Sequence, residues 1–112
     1  MFPHKGKWAE EEALKFYIKR GYRLIGKNIR GYGGEIDIVM FKNGHVILVE
    51  VKHRKYSEED ALLSVSTDKK RRILRTWYAK GGEFLKYPFS LEVCVLVGTR
   101  ENYSIKIYRE EL

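Results

Sequence analysis

The chain has 112 residues, 44% of them hydrophobic and 13% aromatic, which describes one domain with a small core and is too apolar for disorder. Twenty-two Lys and Arg against 15 Asp and Glu give a formal net charge of +7. Such a balance points to a polyanionic partner, nucleic acid first and a membrane surface second, although many small soluble proteins are also basic. No apolar stretch approaches the roughly 20 residues of a membrane span. The opening Met1-Phe2-Pro3-His4 has no apolar signal region, so a cytoplasmic location is expected.

The stretch from Lys7 to Arg20 is rich in Glu, Ala, Leu and Lys and ends at Gly21. It predicts a helix with a glycine C-cap. Ala9, Ala13, Phe16 and Arg20 mark one face, with Tyr17 beside it. Tyr22 to Arg30 predicts a strand, and Gly31-Tyr32-Gly33-Gly34 a flexible connector that presents the next element. Asn43-Gly44, between two apolar runs, predicts a hairpin from Glu35 to about Arg54. His53 to Glu59 reads as loop, and Asp60 to Val65 as a short helical turn. Ser66-Thr67-Asp68 offers N-cap residues for a helix over Lys69 to Lys80, stopped by Gly81-Gly82. Leu91 to Gly98 is a nearly continuous apolar run, the pattern of a buried central strand, and Tyr103 to Arg109 alternates as a final strand. The order is α-β-β-β-α-β-β in a single domain over residues 1–112. Cys94 lies in the apolar run and reads as a small hydrophobe in a reducing compartment. His4, His45 and His53 are scattered and there is no Cys pair, so no zinc signature exists.

The hairpin carries the chemistry. With Asn43 and Gly44 as the loop, Lys42 pairs with His45, and the same register sets Asp37 opposite Glu50, Glu35 opposite Lys52, and Ile36 opposite Val51. Directly opposed side chains share a face. Two carboxylates so placed repel, and a cation between them removes the penalty. Oxygen donors suit a hard divalent ion such as Mg²⁺. Glu-x-Lys alone is weak, because a charge pair on an edge strand reads the same way. The signal lies in the opposed acid on strands that are otherwise apolar.

Basic residues surround this set. Lys69-Lys70-Arg71-Arg72 and Arg75 open the second helix, where the macrodipole disfavours cations. Phosphate binding is one reason for that placement, and a solvated helix face is the other. Lys52-His53-Arg54-Lys55 follows the presumed site. Cations beside carboxylates are what cleavage of a phosphodiester needs. Trp8, Tyr22, Tyr32, Trp77 and Tyr78 offer rings for base stacking, with Trp77 and Tyr78 better read as core and boundary residues of the second helix.

Gly6, Glu10 and Ala13, Gly21-Tyr22, Asn28 and Arg30, Gly34-Glu35-Ile36-Asp37, Val49-Glu50-Val51-Lys52 with Arg54, and Lys69 together resemble the YraN-like uncharacterised family of predicted endonucleases. That family is similar to archaeal Holliday junction resolvases, within the PD-(D/E)XK nuclease superfamily. The resemblance covers Gly6 to about Tyr78. It implies a restriction-endonuclease-like α/β fold, with a mixed central sheet flanked by helices. It also implies a Mg²⁺ or Mn²⁺ ion held by Asp37, Glu50 and the backbone carbonyl of Val51. Lys52 would orient or activate the attacking water, and Glu10 would approach from the first helix. Glu35, beside Lys52 in the hairpin register, would position it. Lys69, Lys70, Arg72, Arg54 and Lys55 are the candidate nucleic-acid contacts. The expected function is structure-selective DNA cleavage, on branched or single-stranded DNA, with a homodimer possible for symmetric cutting. The alternative is a non-catalytic nucleic-acid-binding module in a repair or processing complex.

Overall fold

Asn43 and Gly44 both adopt positive φ, 50° and 74°, the turn that matches the twist of a two-residue hairpin. A computed structural model of the chain describes residues 7–31, 33–57 and 65–110. In chain order these form α1 (Lys7–Lys19), β1 (Arg23–Gly31), β2 (Gly34–Lys42), β3 (His45–Arg54), α2 (Thr67–Lys80), β4 (Phe89–Thr99) and β5 (Asn102–Glu110). A 3-10 turn over Gly82–Lys86, which the sequence pattern does not signal, follows α2. The order matches the sequence expectation. The helical turn expected over Asp60–Val65 falls, apart from Val65, outside the described residues.

The five strands lie in the order β1-β2-β3-β4-β5. All neighbours are antiparallel except β3 and β4, which are parallel. A parallel pair needs a crossover, and α2 lies on that connection. β4 is an interior strand between β3 and β5, with Leu91 to Leu96 buried without interruption; the centre of the sheet is β3. Its Cys94 thiol is pushed up to about 12 by burial and then by Glu92, so it packs as a hydrophobe and does not act as a nucleophile.

The helices cover opposite faces. Ile73 and Trp77 of α2 pack on Ile36, Val39, Leu48, Leu91, Val93 and Val95. Ala9, Ala13 and Tyr17 of α1 pack on Ile38, Met40, Ile47, Val49, Cys94 and Leu96. The buried stripe of α1 therefore runs through Tyr17. Phe16 is only partly buried, and Arg20 stays exposed with its guanidinium 3.5 Å from the centre of the Phe16 ring. Full burial of each aliphatic side chain contributes roughly 1.5–3 kcal/mol. The two-sided sheet thus dominates the stability, and the strongly basic α2 is held by its narrow apolar stripe.

The β2–β3 ladder departs from the expected register at one end. It runs from Lys42–His45 to Ile38–Val49 as the turn dictates, and ends there. Beyond that point β2 continues on β1, with Ile36 opposite Ile29 and Glu35 opposite Arg30. β3 continues on β4, with Val51 opposite Cys94 and Lys52 opposite Val95. The two strands fork. Ile36 turns under α2 while Ile38 and Met40 face α1, so strict alternation breaks at Asp37. The ladder pairings expected for Asp37 with Glu50, Ile36 with Val51 and Glu35 with Lys52 therefore do not form.

Candidate active site

Asp37 sits in the fork, and its carboxylate Oδ2 accepts the backbone N–H of Val51 at 2.8 Å. A side chain thus does what the next rung of the ladder would have done. The fork keeps a backbone donor satisfied, as burial demands, and opens the sheet beside Glu50. Glu50 is buried close by, near enough for its charge to act on Asp37. Burial first, and then the Glu50 charge, push the Asp37 carboxyl up to about 8; Glu10 adds to the effect and the Val51 N–H opposes it. A carboxyl this far from its ordinary value marks a functional site more often than a structural one.

Two ammonium groups converge on the same Glu50 oxygen. Lys69 Nζ lies 3.2 Å from Oε1 and Lys52 Nζ 3.6 Å. Burial and the neighbouring Lys69 lower the pKa of Lys52. For Lys69 burial works in the same direction, but contact with Lys52 and the Glu50 and Asp37 charges outweigh it, and its pKa is raised. Ser66 fixes the start of α2: its hydroxyl accepts the Lys69 backbone N–H at 3.1 Å. Further along, Thr76 donates its hydroxyl towards the Gly31 carbonyl at 2.6 Å. A Cβ on Gly34 would stand 2.6 Å from both the Arg72 carbonyl oxygen and the Thr76 hydroxyl oxygen. Glycine there allows α2 to lie directly against β2 and brings Lys69 within reach of Glu50.

Asp37 and Glu50 line two cavities. One, of about 460 Å³, is lined also by Arg30, Glu35, Lys69 and Arg72. The other, of about 530 Å³, is lined also by Glu10, Val51, Lys52, His53 and Arg54.

The uncharacterised protein family UPF0102 matches this chain over residues 9–86. The chain belongs to that family. A UPF0102 protein of Thermus thermophilus is 38% identical over 104 residues, 91% of each chain. One from Aquifex aeolicus is 36% identical over 94 residues, 82% of this chain and 84% of its own. One from Roseobacter denitrificans is 43% identical over 82 residues, 73% of this chain and 60% of its own. The UPF0102 match takes in α1 from Ala9 onward, the fork and α2, and so every residue that lines the two cavities.

The fork therefore brings together Asp37, Glu50 and Lys52, with the Val51 backbone directly on Asp37, and Glu10 lines the second cavity beside them. Glu35 lines a cavity but forms its ion pair with Arg30, at 3.5 Å. It does not position Lys52, because β2 has left β3 by that residue. Of the candidate nucleic-acid contacts, Lys69, Arg72 and Arg54 line the cavities. Lys70 pairs with Glu110 at 3.2 Å, and Lys55 lies 5.4 Å from the centre of the exposed Tyr56 ring; neither lines either of these two cavities. Among the rings, Trp77 is buried and Tyr78 exposed. Trp8 packs edge-on against His53 at 4.9 Å and Tyr22 against Tyr17 at 5.4 Å; Tyr32 is outside the described residues. Sequence reasoning missed the Lys69–Glu50 contact and Arg30 as a cavity residue. The signal for Lys69 was its place in the first turn of α2, where a cation needs an anion to offset the macrodipole.

Proposed function

We propose that the chain is a divalent-metal-dependent nuclease of restriction-endonuclease-like fold, hydrolysing phosphodiester bonds in DNA, with branched or single-stranded DNA preferred. The observation that carries this reading is the convergence of Asp37, buried Glu50 and Lys52 at the fork, where Lys52 Nζ lies 3.6 Å from Glu50 Oε1 and Asp37 accepts the Val51 N–H at 2.8 Å. The donor set fits a hard ion such as Mg²⁺ or Mn²⁺: two carboxylates, with the Val51 carbonyl as a third oxygen by resemblance, and Glu10 on the same cavity. Among the described residues no group of three or more His, Cys, Asp or Glu gathers, so water and the backbone would complete the shell. A bound ion would polarise the phosphate and acidify its water.

The chain's own groups do the rest. Lys52, its pKa lowered by burial and by Lys69, gives up a proton more readily than an ordinary lysine. It stands ready to orient the attacking water or to balance the developing charge. Arg30, Lys69 and Arg72 on one side of the carboxylates, and Arg54 on the other, are placed to hold phosphates flanking the scissile one. Symmetric cutting of branched DNA would favour a two-fold dimer.

A second reading is a non-catalytic nucleic-acid-binding module. It is favoured by one observation: Glu50 already has two ammonium partners, so its charge is balanced without a metal. Cleavage of labelled single strand, duplex, flap and four-way junction, with Mg²⁺, Mn²⁺ or chelator, separates the two. Metal-dependent cutting that is lost in Lys52→Ala supports the nuclease. Salt-sensitive binding with no cutting of any substrate supports the module.

A further inference from the structure

Glu50 is held by two lysines that differ in one respect. Its side chain is 8% exposed, that of Lys52 is 16% exposed, and that of Lys69 is 28% exposed. Lys52 comes from the same strand two residues on and lines the other cavity, with Glu10 and Arg54. Lys69 comes from the first turn of α2 and lines the cavity that Arg30 and Arg72 also line. Its ammonium can therefore swing from the carboxylate into the cavity without moving the backbone. The direction of the helix favours the swing, because the N-terminal end of α2 adds positive potential and attracts an anion.

We propose that Lys69 is an exchangeable counter-ion: it pairs with Glu50 when no divalent ion is bound, releases the carboxylate to the ion, and then holds a phosphate in the Arg30–Arg72 cavity. This rests on the reading that Asp37 and Glu50 take a metal, and adds to it a role for α2. Two consequences follow from the same contact. Lys69 competes with the ion for Glu50 Oε1, so the wild-type chain binds metal less tightly than it would without the lysine. Once freed, the ammonium is available to a phosphate, so metal and polyanion strengthen each other's binding by the same factor.

Calorimetric titration of Mn²⁺ into the wild type and Lys69→Met, each with and without a short oligothymidylate, tests this. Without the oligonucleotide, the variant is expected to bind Mn²⁺ about two- to fivefold more tightly, the equivalent of one half-exposed ion pair. The oligonucleotide is expected to tighten Mn²⁺ binding in the wild type and to do so several-fold less in the variant. If Lys69→Met does not fold, Lys69→Gln, which keeps a polar but uncharged end on a side chain one atom shorter, is expected to show the same two changes. Mn²⁺ binding in the wild type with unchanged affinity and unchanged coupling in the folded variant would overturn the exchange alone. Absence of Mn²⁺ binding in the wild type would overturn the metal-dependent reading itself, and the exchange with it.

Discussion

The Asp37 carboxylate and the Val51 amide meet at 2.8 Å at the point where β2 and β3 part. One side chain thus closes the hairpin ladder and belongs to the candidate site. Asp37→Asn retains a carbonyl oxygen for the Val51 N–H and removes the repulsion with Glu50. Asp37→Ala leaves that amide without a partner. Asn is expected to fold at least as stably as wild type in chelator at neutral pH, and Ala to lose about 1–3 kcal/mol by denaturant unfolding. Asn is also expected to bind DNA more tightly in chelator while losing cleavage.

The pH dependence of the metal-free protein follows from the same residue. The folded value of about 8 lies above the unfolded one of about 3.9. Between them the folded chain keeps a proton that the unfolded chain has released. Stability therefore falls as pH rises from about 4 to 8 and levels off above, by an amount on the order of a few kcal/mol from this group. Thermal melts across that window in chelator should show the slope in wild type and a flatter profile in Asp37→Asn.

Metal should reverse the slope at the site. At a hundredfold excess over its Kd, an ion that binds only the folded chain stabilises it by about 2.7 kcal/mol, roughly 10 °C for a domain of this size. Mn²⁺ is expected to raise the wild-type melting midpoint by that order and to leave Glu50→Gln unmoved. An equal rise in both would place the ion elsewhere.

Gly34 sets the distance between α2 and β2. Its added Cβ would press on the Arg72 carbonyl and the Thr76 hydroxyl at 2.6 Å, backbone and short side chain that have little freedom to give. Gly34→Ala is expected to cost about 1–3 kcal/mol as overpacking. It should also weaken the Lys69–Glu50 contact, read as tighter Mn²⁺ binding by whatever fraction still folds.

A control lies on the opposite face of the sheet. Buried Glu92 accepts the Tyr17 hydroxyl at 2.7 Å and an Arg109 N–H at 3.2 Å. Tyr17→Phe removes the closer donor and is expected to cost about 1–3 kcal/mol in urea unfolding. Because α1 and α2 cover separate cores, Mn²⁺ affinity should not change.

Much of this was legible in the chain. Asn43-Gly44 set the hairpin and its register as far as Ile38–Val49. The nearly continuous apolar run in β4 marked a buried interior strand, and Ser66 marked the start of α2. The fork was not legible, because it depends on a side chain taking a backbone donor that periodicity assigns to the ladder. The partner of Glu35 was hidden for the same reason: Arg30 faces it only because β2 stays on β1 after leaving β3. The Lys70–Glu110 pair was hidden because Glu110 lies 40 residues away, and local charge density carries no information about so distant an anion.

The central claim is that the fork between β2 and β3 holds a divalent ion on Asp37 and Glu50. Anomalous diffraction from crystals soaked in Mn²⁺ tests it directly. The account predicts one peak at the fork, bonded to oxygens of both carboxylates and of the Val51 backbone. No peak there, with Lys69 still seated on Glu50 at saturating Mn²⁺, would contradict it.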